Sequence, residues 1–453
     1  MSKYEQAMPN TKTIIDFICD TKYENIPEEV IENAKGRILD CIGVAYSGGT
    51  ESVGKVTKDF IRSYGTGKPE ATIVGANMKT DVMNASFANG ILMDAIDYND
   101  HFLLSHPSVG VVPALLPVAE MVGASGKEIL TAFVVGIEVY TKINQAMTTE
   151  PWYHGFHATG IWTTCGAVAV AGKLLKLDKD QMLMAWGLAC STFSGLKRNV
   201  GVHAKPFHVG RSIEGGVRSA LLASLGFTSH VDAFEGKEGF MDVFCTNPHY
   251  EYIQELGKLW DLKEHPTCIK PHPSCGTTHA PMSGMMEIVK KYDFKEEDVE
   301  RIDVGMTSGG SFKMFFPDPK DIYEAKFSIH FCVALVLHYK DWGLRYHTEA
   351  VVNDPAMRKL YPLVNHYLDE DLDKQVGKDF ADYHAIVTVV LKDGTQYRVH
   401  AHPPVLNYDQ IKEKFYDSTC NYDLITREHS DKIVDMIKDL ENYEIKDLIS
   451  LIS

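Results

Sequence analysis

The sequence predicts a mainly α-helical protein: a large all-helical domain built from both ends of the chain, with a smaller α+β domain inserted between them. Roughly the first 260 residues repeat apolar side chains with helical periodicity, and the chain becomes helical again from about residue 407. At 453 residues the chain exceeds the usual size of a single hydrophobic core. We therefore expect a helical domain at 1–266 and 404–453, and an α+β lid domain at 267–403.

Start signals and small residues support the helical domain. Pro27 is followed by two acids, and a proline at the start with acids in the first turn is typical of a helix N-terminus. Asp178 begins a capping-box pattern with an acid at the cap position. The segments 163–175 and 215–227 are rich in Gly, Ala, Ser and Thr, which predicts helices that approach each other closely.

The segment 267–403 has a different character. Residues 299–306 alternate as a strand does, and residues 385–391 and 395–400 predict a β-hairpin that turns at Asp393-Gly394. A helical pattern at 278–291 precedes these strands and another at 325–339 lies between them, which predicts an α+β module.

Charge and cysteine usage exclude several classes of function. The net charge of −16 makes nucleic acid a poor partner, because phosphate binding needs clustered Lys and Arg on one face. None of the nine cysteines forms a CxxC pair, which predicts reduced thiols rather than disulfides or a zinc site. The N-terminus is polar, and the apolar stretches are too short or too rich in Gly and Pro to span a membrane. We expect a cytoplasmic protein.

Three segments of the helical half concentrate side chains that can do chemistry. Residues 94–108 hold three acids and two histidines before an apolar helix, and residues 154–160 hold two histidines before another. An anion can bind at a helix start, so we expect anion sites next to His106 and next to residues 154–160. Residues 197–211 form a basic segment in an acidic protein, which suits a carboxylate substrate. Because proline is excluded from helix interiors, Pro206 predicts that this segment is a loop as far as about Val209.

A fourth segment, 270–279, lies at the predicted domain junction. Cys275 and His279 are a weak candidate for a thiol nucleophile, because no orienting partner is visible in the sequence. The histidine and cysteine spacings match no zinc motif, and the sequence contains no phosphate-binding or dinucleotide-binding glycine motif. The sequence therefore predicts neither a metal nor a cofactor.

Seven motifs taken in order resemble the MmgE/PrpD family, which includes 2-methylcitrate dehydratase, cis-aconitate decarboxylase and iminodisuccinate epimerase. They are ILDCIGVAYSG (38–48), MDAIDYND with the following HPS and VVPALLPVAE (93–120), GFHATG (155–160), KPFHVGRS (205–212), GFTSHVDAFEGKEGF (226–240), IKPHPSCGTTHA (269–280) and FSIHFCVALVL (327–337). The resemblance implies a homodimer without a cofactor that acts on a small polycarboxylate. This chain departs from the decarboxylase members at His101, Cys275 and Phe331.

The resemblance also implies site residues. Asp97, His106, His157 and Lys205 match the positions of the catalytic groups. We expect the substrate to be bound by a further set: His101, Arg198, His203, Lys270, Cys275 and His279.

The resemblance implies a reaction at a carbon next to a carboxylate. Lys205 and Arg198 would hold carboxylates, His106 or His157 would move a proton, and Asp97 would orient a histidine. The sequence does not assign acid and base between the two histidines. Among these enzymes we expect a dehydratase first. A decarboxylase, an epimerase of a dicarboxylate such as iminodisuccinate and a non-catalytic organic-acid binding protein stay open.

Overall fold

A computed structural model describes residues 2–193, 195–264, 268–308, 316–376, 384–420 and 422–453. The chain divides into two compact units, of which unit 1 is Met1–Thr267 with Tyr408–Ser453 and unit 2 is Cys268–Asn407. The domain boundary expected at 266–267 lies outside the described residues. The prediction of a mainly α-helical protein is confirmed. The role of residues 267–403 as a lid stays a prediction.

Unit 1 is built from helices that begin near residue 9 and return after residue 407. In its first segment the helices are α1 (Pro9–Asp20), α2 (Glu28–Gly48), α3 (Ser52–Tyr64), α4 (Val82–Asp94), α5 (Val112–Val122), α6 (Gly126–Met147), α7 (Glu150–Tyr153), α8 (Ala158–Leu174), α9 (Lys179–Ala189), α10 (Ala204–Ser224), α11 (Phe240–Phe244) and α12 (Asp261–Glu264). The helix α8 is buried along nearly its whole length and packs against α6 and α10, as its small residues predict. The described ranges contain no helix with the length and apolar character that crossing a bilayer requires.

Unit 1 also contains a short two-stranded antiparallel sheet, so the prediction of an all-helical domain is wrong in this detail. The strands are β1 (Ala71–Ile73) and β2 (Met78–Thr80). Gly75 and Asn77 in the turn both have positive φ, a conformation that these two residue types adopt more easily than most. Strands of three residues are too short for alternation to be visible in the sequence. A further strand of two residues, β3 (Asp100–His101), belongs to the segment 94–108 that the sequence singled out.

Unit 2 contains one four-stranded sheet packed against helices. Its elements are β4 (Cys268–Ile269), α13 (His279–Lys291), β5 (Val299–Met306), α14 (Ile322–Ala325), α15 (Ile329–Tyr339), α16 (Glu349–Val352), α17 (Pro355–Leu360), β6 (Val364–Leu368), α18 (Glu370–Val376), β7 (Ala385–Leu391) and β8 (Gln396–Ala401). The strand order of the sheet is β6-β5-β7-β8, with β6 parallel to β5 and the other pairs antiparallel. The predicted hairpin is confirmed, and Gly394 in its turn has a positive φ.

The chain returns to unit 1 as three helices, α19 (Tyr408–Thr419), α20 (Arg427–Lys438) and α21 (Ile445–Ile452). The helix α19 packs along α2, so helices from the two ends of the chain are in contact. One buried ion pair joins these helices, because Lys414 Nζ lies 2.7 Å from Asp40 Oδ1.

Candidate active site

The first site segment leaves α4 through a constrained backbone. Asp94 is the last residue of α4, and Asp97 follows it with φ of 56°. A positive φ is uncommon outside glycine, although aspartate and asparagine adopt it more readily than most residues. Asp94 and Asp97 are both buried. This turn directs two carboxylates into the protein within four residues.

Lys205 on α10 lies between these two carboxylates. Its Nζ is 3.0 Å from Asp94 Oδ1 and 2.7 Å from Asp97 Oδ1. Burial alone lowers the pKa of Lys205, but attraction to Asp94 and Asp97 outweighs burial and raises the pKa above its usual value. Lys205 is therefore a fixed cation at neutral pH and cannot act as a base.

The prediction that Pro206 keeps this segment in a loop is wrong. The helix α10 begins at Ala204, so Pro206 is its third residue. The first backbone N–H groups of a helix have no acceptor within the helix, so a proline costs no hydrogen bond there. Lys205 and His208 therefore lie three residues apart on one helix, and both are buried.

Close packing of two glycines holds Lys205 near Asp94. Gly90 on α4 lies directly against Gly210 on α10, and a Cβ atom at Gly210 would lie 2.7 Å from the carbonyl oxygen of Phe87. Real Cβ atoms do not approach a backbone atom so closely. The two helices can therefore be this close only without a side chain at Gly210.

Gly210→Ala is expected to lower the free energy of unfolding by about 1–3 kcal/mol, because α10 must move away from α4. The same shift would lengthen the contact between Lys205 and Asp94 and lower activity. Gly36→Ala on α2 is the matched control: its Cβ atom would meet no backbone atom, since its tightest contact is the movable end of the Ile411 side chain. Urea unfolding of both variants tests this, and equal stability of the two would contradict the packing argument.

His106 is held from both sides of its ring. Its Nδ1 lies 2.8 Å from the carbonyl oxygen of Asp100, and its Nε2 lies 3.4 Å from Asp97 Oδ1. A carbonyl oxygen only accepts, so Nδ1 carries a proton and donates it to Asp100. The Nε2 atom is therefore the ring nitrogen that faces the Asp97 carboxylate.

The Asp100 carboxylate fixes the rest of this loop. It accepts from the backbone N–H of Ser108 at 3.0 Å and from the Ser108 hydroxyl at 2.6 Å. The backbone N–H of Ser108, near the start of α5, is thus taken by a protein carboxylate. At the anion site predicted next to His106, the Asp100 carboxylate therefore already occupies the Ser108 N–H donor.

His157 and His208 form a buried pair on the other side of Lys205. Their Nδ1 atoms lie 3.2 Å apart, so one ring donates and the other accepts. Burial, followed by the nearby Lys205, lowers the pKa of His157 well below its usual value. Burial also lowers the pKa of His208. Both imidazoles are therefore neutral at neutral pH, and His157 is suited to accept a proton or to donate a hydrogen bond.

Three groups of this cluster lie close enough to share a metal ion. One ligand atom from each of Asp94, Asp97 and His106 lies within 4.8 Å of the others. Here the Lys205 ammonium contacts both carboxylates and already supplies a positive charge. The donor set therefore fits an internal ion-pair network better than a metal site, and the expectation of no metal stays a prediction.

The remaining site residues of unit 1 lie in different surroundings. Arg198 and His203 are exposed, and His203 Nε2 lies 2.9 Å from the Ser52 hydroxyl of α3. The basic segment 197–211 is thus not one pocket, because Lys205 points inward while these two side chains stay at the surface. His101 is buried in β3, next to Asp100.

Unit 2 holds three of the predicted residues, of which Lys270 and His279 are fully buried and Cys275 is half-buried. His279 lies within hydrogen-bonding distance of three backbone carbonyl oxygens, those of His272 at 3.1 Å, Cys275 at 3.2 Å and Gly276 at 3.3 Å. Burial, followed by Lys270, lowers the pKa of His279 to about 3, so its ring stays neutral. The Cys275 thiol accepts from the Thr277 hydroxyl at 3.3 Å. The thiol nucleophile considered from the sequence, Cys275 activated by His279, gains no support. Both ring nitrogens of His279 face backbone carbonyl oxygens rather than the Cys275 thiol.

Two members of the cluster were absent from the predicted site, namely Asp94 and His208. Both stand three residues from a predicted member, Asp97 and Lys205 respectively, and a helical reading of 204–211 would have placed His208 beside Lys205. The assumption that Pro206 forces a loop concealed that relation.

Comparison with known families identifies the class of protein to which this helical architecture and acid/base cluster belong. The model of the MmgE/PrpD N-terminal domain matches residues 12–253, and that of the MmgE/PrpD C-terminal domain matches residues 272–441. These matches span most of the chain, and the protein belongs to the MmgE/PrpD family. The resemblance seen in the sequence is confirmed.

Individual relatives carry two different activities in their names. Human cis-aconitate decarboxylase is 24% identical over 457 residues, which cover 96% of this chain and 92% of the human protein. Cis-aconitate decarboxylase of Aspergillus terreus is 25% identical over 305 residues, covering 62% of this chain and 60% of the fungal protein. The 2-methylcitrate dehydratase of Cupriavidus necator is 24% identical over 266 residues, covering 54% and 53%.

Proposed function

We propose that this protein is a lyase that acts on a small tricarboxylic acid by general acid/base chemistry of its own side chains, without a cofactor. The observation that carries the proposal is the buried cluster in which Lys205 contacts Asp94 and Asp97 while His106 contacts Asp97. A fixed cation beside two histidines in different charge surroundings is what a reaction next to a carboxylate requires.

Lys205 stabilises negative charge that develops on the substrate. An ammonium has three N–H donors, and Asp94 and Asp97 accept two of them. The third is available to a substrate oxygen. Because the two protein carboxylates fix the direction of the ammonium, it needs little reorganisation when charge develops, which is the condition for efficient electrostatic catalysis.

The two histidines take different parts. His157 stays neutral, because burial and Lys205 lower its pKa, and it acts as the proton acceptor. His106 acts as the proton donor, because its Nδ1 is held by the Asp100 carbonyl oxygen and its Nε2 faces the cluster beside Asp97. Asp97 is a positioning residue that contacts both the donor and Lys205.

We propose decarboxylation of a cis-aconitate-like acid as the reaction, because the human decarboxylase aligns over nearly the whole chain. The bond from a carboxylate carbon to its neighbour breaks and CO2 leaves. The electron pair stays on the carbon skeleton, where Lys205 stabilises it, and a proton from His106 forms the new C–H bond. Only His106 and Lys205 act directly in this reaction.

Dehydration of a 2-methylcitrate-like acid is the second candidate, favoured by the match to the dehydratase over about half of each chain. There His157 takes a proton from the carbon beside a carboxylate, and His106 protonates the leaving hydroxyl group. Water leaves, and a carbon–carbon double bond forms.

The test is to incubate the full chain with cis-aconitate, citrate and 2-methylcitrate in D2O and to follow products by NMR and CO2 by a coupled assay. CO2 with deuterium at the new C–H bond supports decarboxylation, whereas a new double bond without CO2 supports dehydration. Deuterium exchange without either product would replace the lyase by an epimerase. If no acid in a broad polycarboxylate panel is changed, the proposal of an enzyme is wrong, and a binding protein for organic acids is the remaining candidate.

Homodimer formation and a cytoplasmic location remain part of the proposal. All nine cysteines are free thiols, as suits a reducing compartment. Apolar side chains that suit a second copy are exposed on α3 and near the start of α10: Val56, Phe60, Tyr64, Val202 and Phe207. Light scattering is expected to give twice the mass of the chain, and a monomer mass would contradict the dimer.

A further inference from the structure

We propose that His384, His400 and His402 in unit 2 bind one divalent transition-metal ion of the zinc class on the exposed side of the β7–β8 hairpin. This inference goes beyond the proposed lyase activity and concerns none of its residues.

The strand register brings the three imidazoles together. Ala385 on β7 pairs with Ala401 on β8, so His384 and His402, one residue beyond each, stand opposite each other at the open end of the hairpin. His400 lies two residues before His402, and alternate residues of a strand share a face. His400 and His402 are exposed, while Val399 and Ala401 between and before them are buried.

The rings are already in mutual contact. His384 Nδ1 lies 2.9 Å from His400 Nε2, and the ring centroids of His384 and His402 are 4.1 Å apart. One ring nitrogen from each histidine lies within 4.8 Å of the other two. Zinc–nitrogen bonds of 2.0–2.1 Å in tetrahedral geometry require nitrogens about 3.3 Å apart. The nitrogens of His384 and His400 lie slightly closer than that, and a nitrogen of His402 lies within 4.8 Å of both, so ring rotations can bring the three to this spacing.

The donor set is one that zinc and its neighbours prefer. Imidazole nitrogen suits Zn²⁺, Cu²⁺ and Ni²⁺, whereas Mg²⁺ and Ca²⁺ prefer oxygen ligands. Three histidines with a fourth position open to water form the ligand set of several zinc sites. Exposure of His400 and His402 gives an ion and its water free access. The cluster around Lys205 differs here, because an ammonium already neutralises its carboxylates.

The site is tested on the full chain, with any affinity tag removed and metals stripped by a chelator. Titration with CoCl2 is followed by visible absorbance, and titration with ZnCl2 by calorimetry. We expect one equivalent of ion with a dissociation constant in the micromolar range or below, and the intense visible bands of tetrahedral cobalt. The thermal midpoint should rise when zinc is added, because an ion bound to the folded state alone stabilises it.

His402→Gln and, as a second variant, His400→Gln should each weaken binding about 10-fold or more. Both side chains are exposed, so folding is expected to be retained, and circular dichroism checks this. His230→Gln is the matched control, because His230 is an exposed histidine of unit 1, and it should leave binding unchanged. Wild-type protein that binds no ion in this range, or ligand variants that bind as tightly as wild type, would overturn the proposal. Loss of binding in His106→Gln instead would assign the ion to the Lys205 cluster and would overturn it as well.

Discussion

Lys205→Met is expected to lower kcat by about 10²–10³-fold, because the substrate loses the fixed cation that stabilises its developing negative charge. The same change leaves Asp94 and Asp97 buried without a counter-charge. Breaking a buried ion pair from one side costs about 3–5 kcal/mol of stability. Turnover of the acid identified by the product assay, and urea unfolding followed by circular dichroism, measure the two effects separately.

A double variant separates catalysis from stability. Lys205→Met combined with Asp94→Asn removes one of the two uncompensated charges, so part of the stability should return while activity does not. Cys275→Ala is the control at a predicted residue of unit 2, and it should keep far more activity than Lys205→Met. Equal activity losses at Cys275 and Lys205, or recovery of activity in the double variant, would contradict the role given to Lys205.

The positions of the main elements were predictable because they follow from strong local signals. The turn at Asp393-Gly394 between two alternating runs predicted β7 and β8, and the acid at Asp178 predicted the start of α9. The strand β6 was missed. It pairs in parallel with β5. Only Val364 of its five residues is buried, so the strand shows no alternation of apolar and polar residues in the sequence. The formation of β6 therefore depends on its pairing with β5 rather than on the pattern of its own residues.

The sequence predicted several residues that the structure brings together in unit 1, but it did not predict their geometry. Asp97, His106, His157 and Lys205 stood in motifs that resemble the family, and they lie close to Asp94 and His208; all are buried except His106, which is half-buried. Which cations face inward was not readable from the segment 197–211. That choice depends on the start of α10 at Ala204 and on the glycine contact with α4, neither of which the local sequence fixes.

His106→Gln is expected to lower kcat by about 10²–10⁴-fold while changing KM little, because glutamine can hydrogen-bond but cannot supply a proton at neutral pH. His203→Gln is the matched control: the histidine is exposed and bonded to Ser52, so turnover should stay near that of wild type. Steady-state kinetics of the two variants on the same acid, with product deuteration measured in D2O, provide the comparison.

The same kinetic measurements on His157→Gln decide which histidine is the proton donor and which is the proton acceptor. If decarboxylation is the reaction, forming the new C–H bond needs a donor and no base, so His106→Gln should be the more damaged variant. If dehydration is the reaction, both should fail, and only His157→Gln should also lose deuterium exchange at the carbon. A His106→Gln enzyme with wild-type turnover would show that the proton comes from elsewhere. The charge argument for Lys205 would survive that result, because it depends on the two carboxylates and not on which imidazole carries the proton.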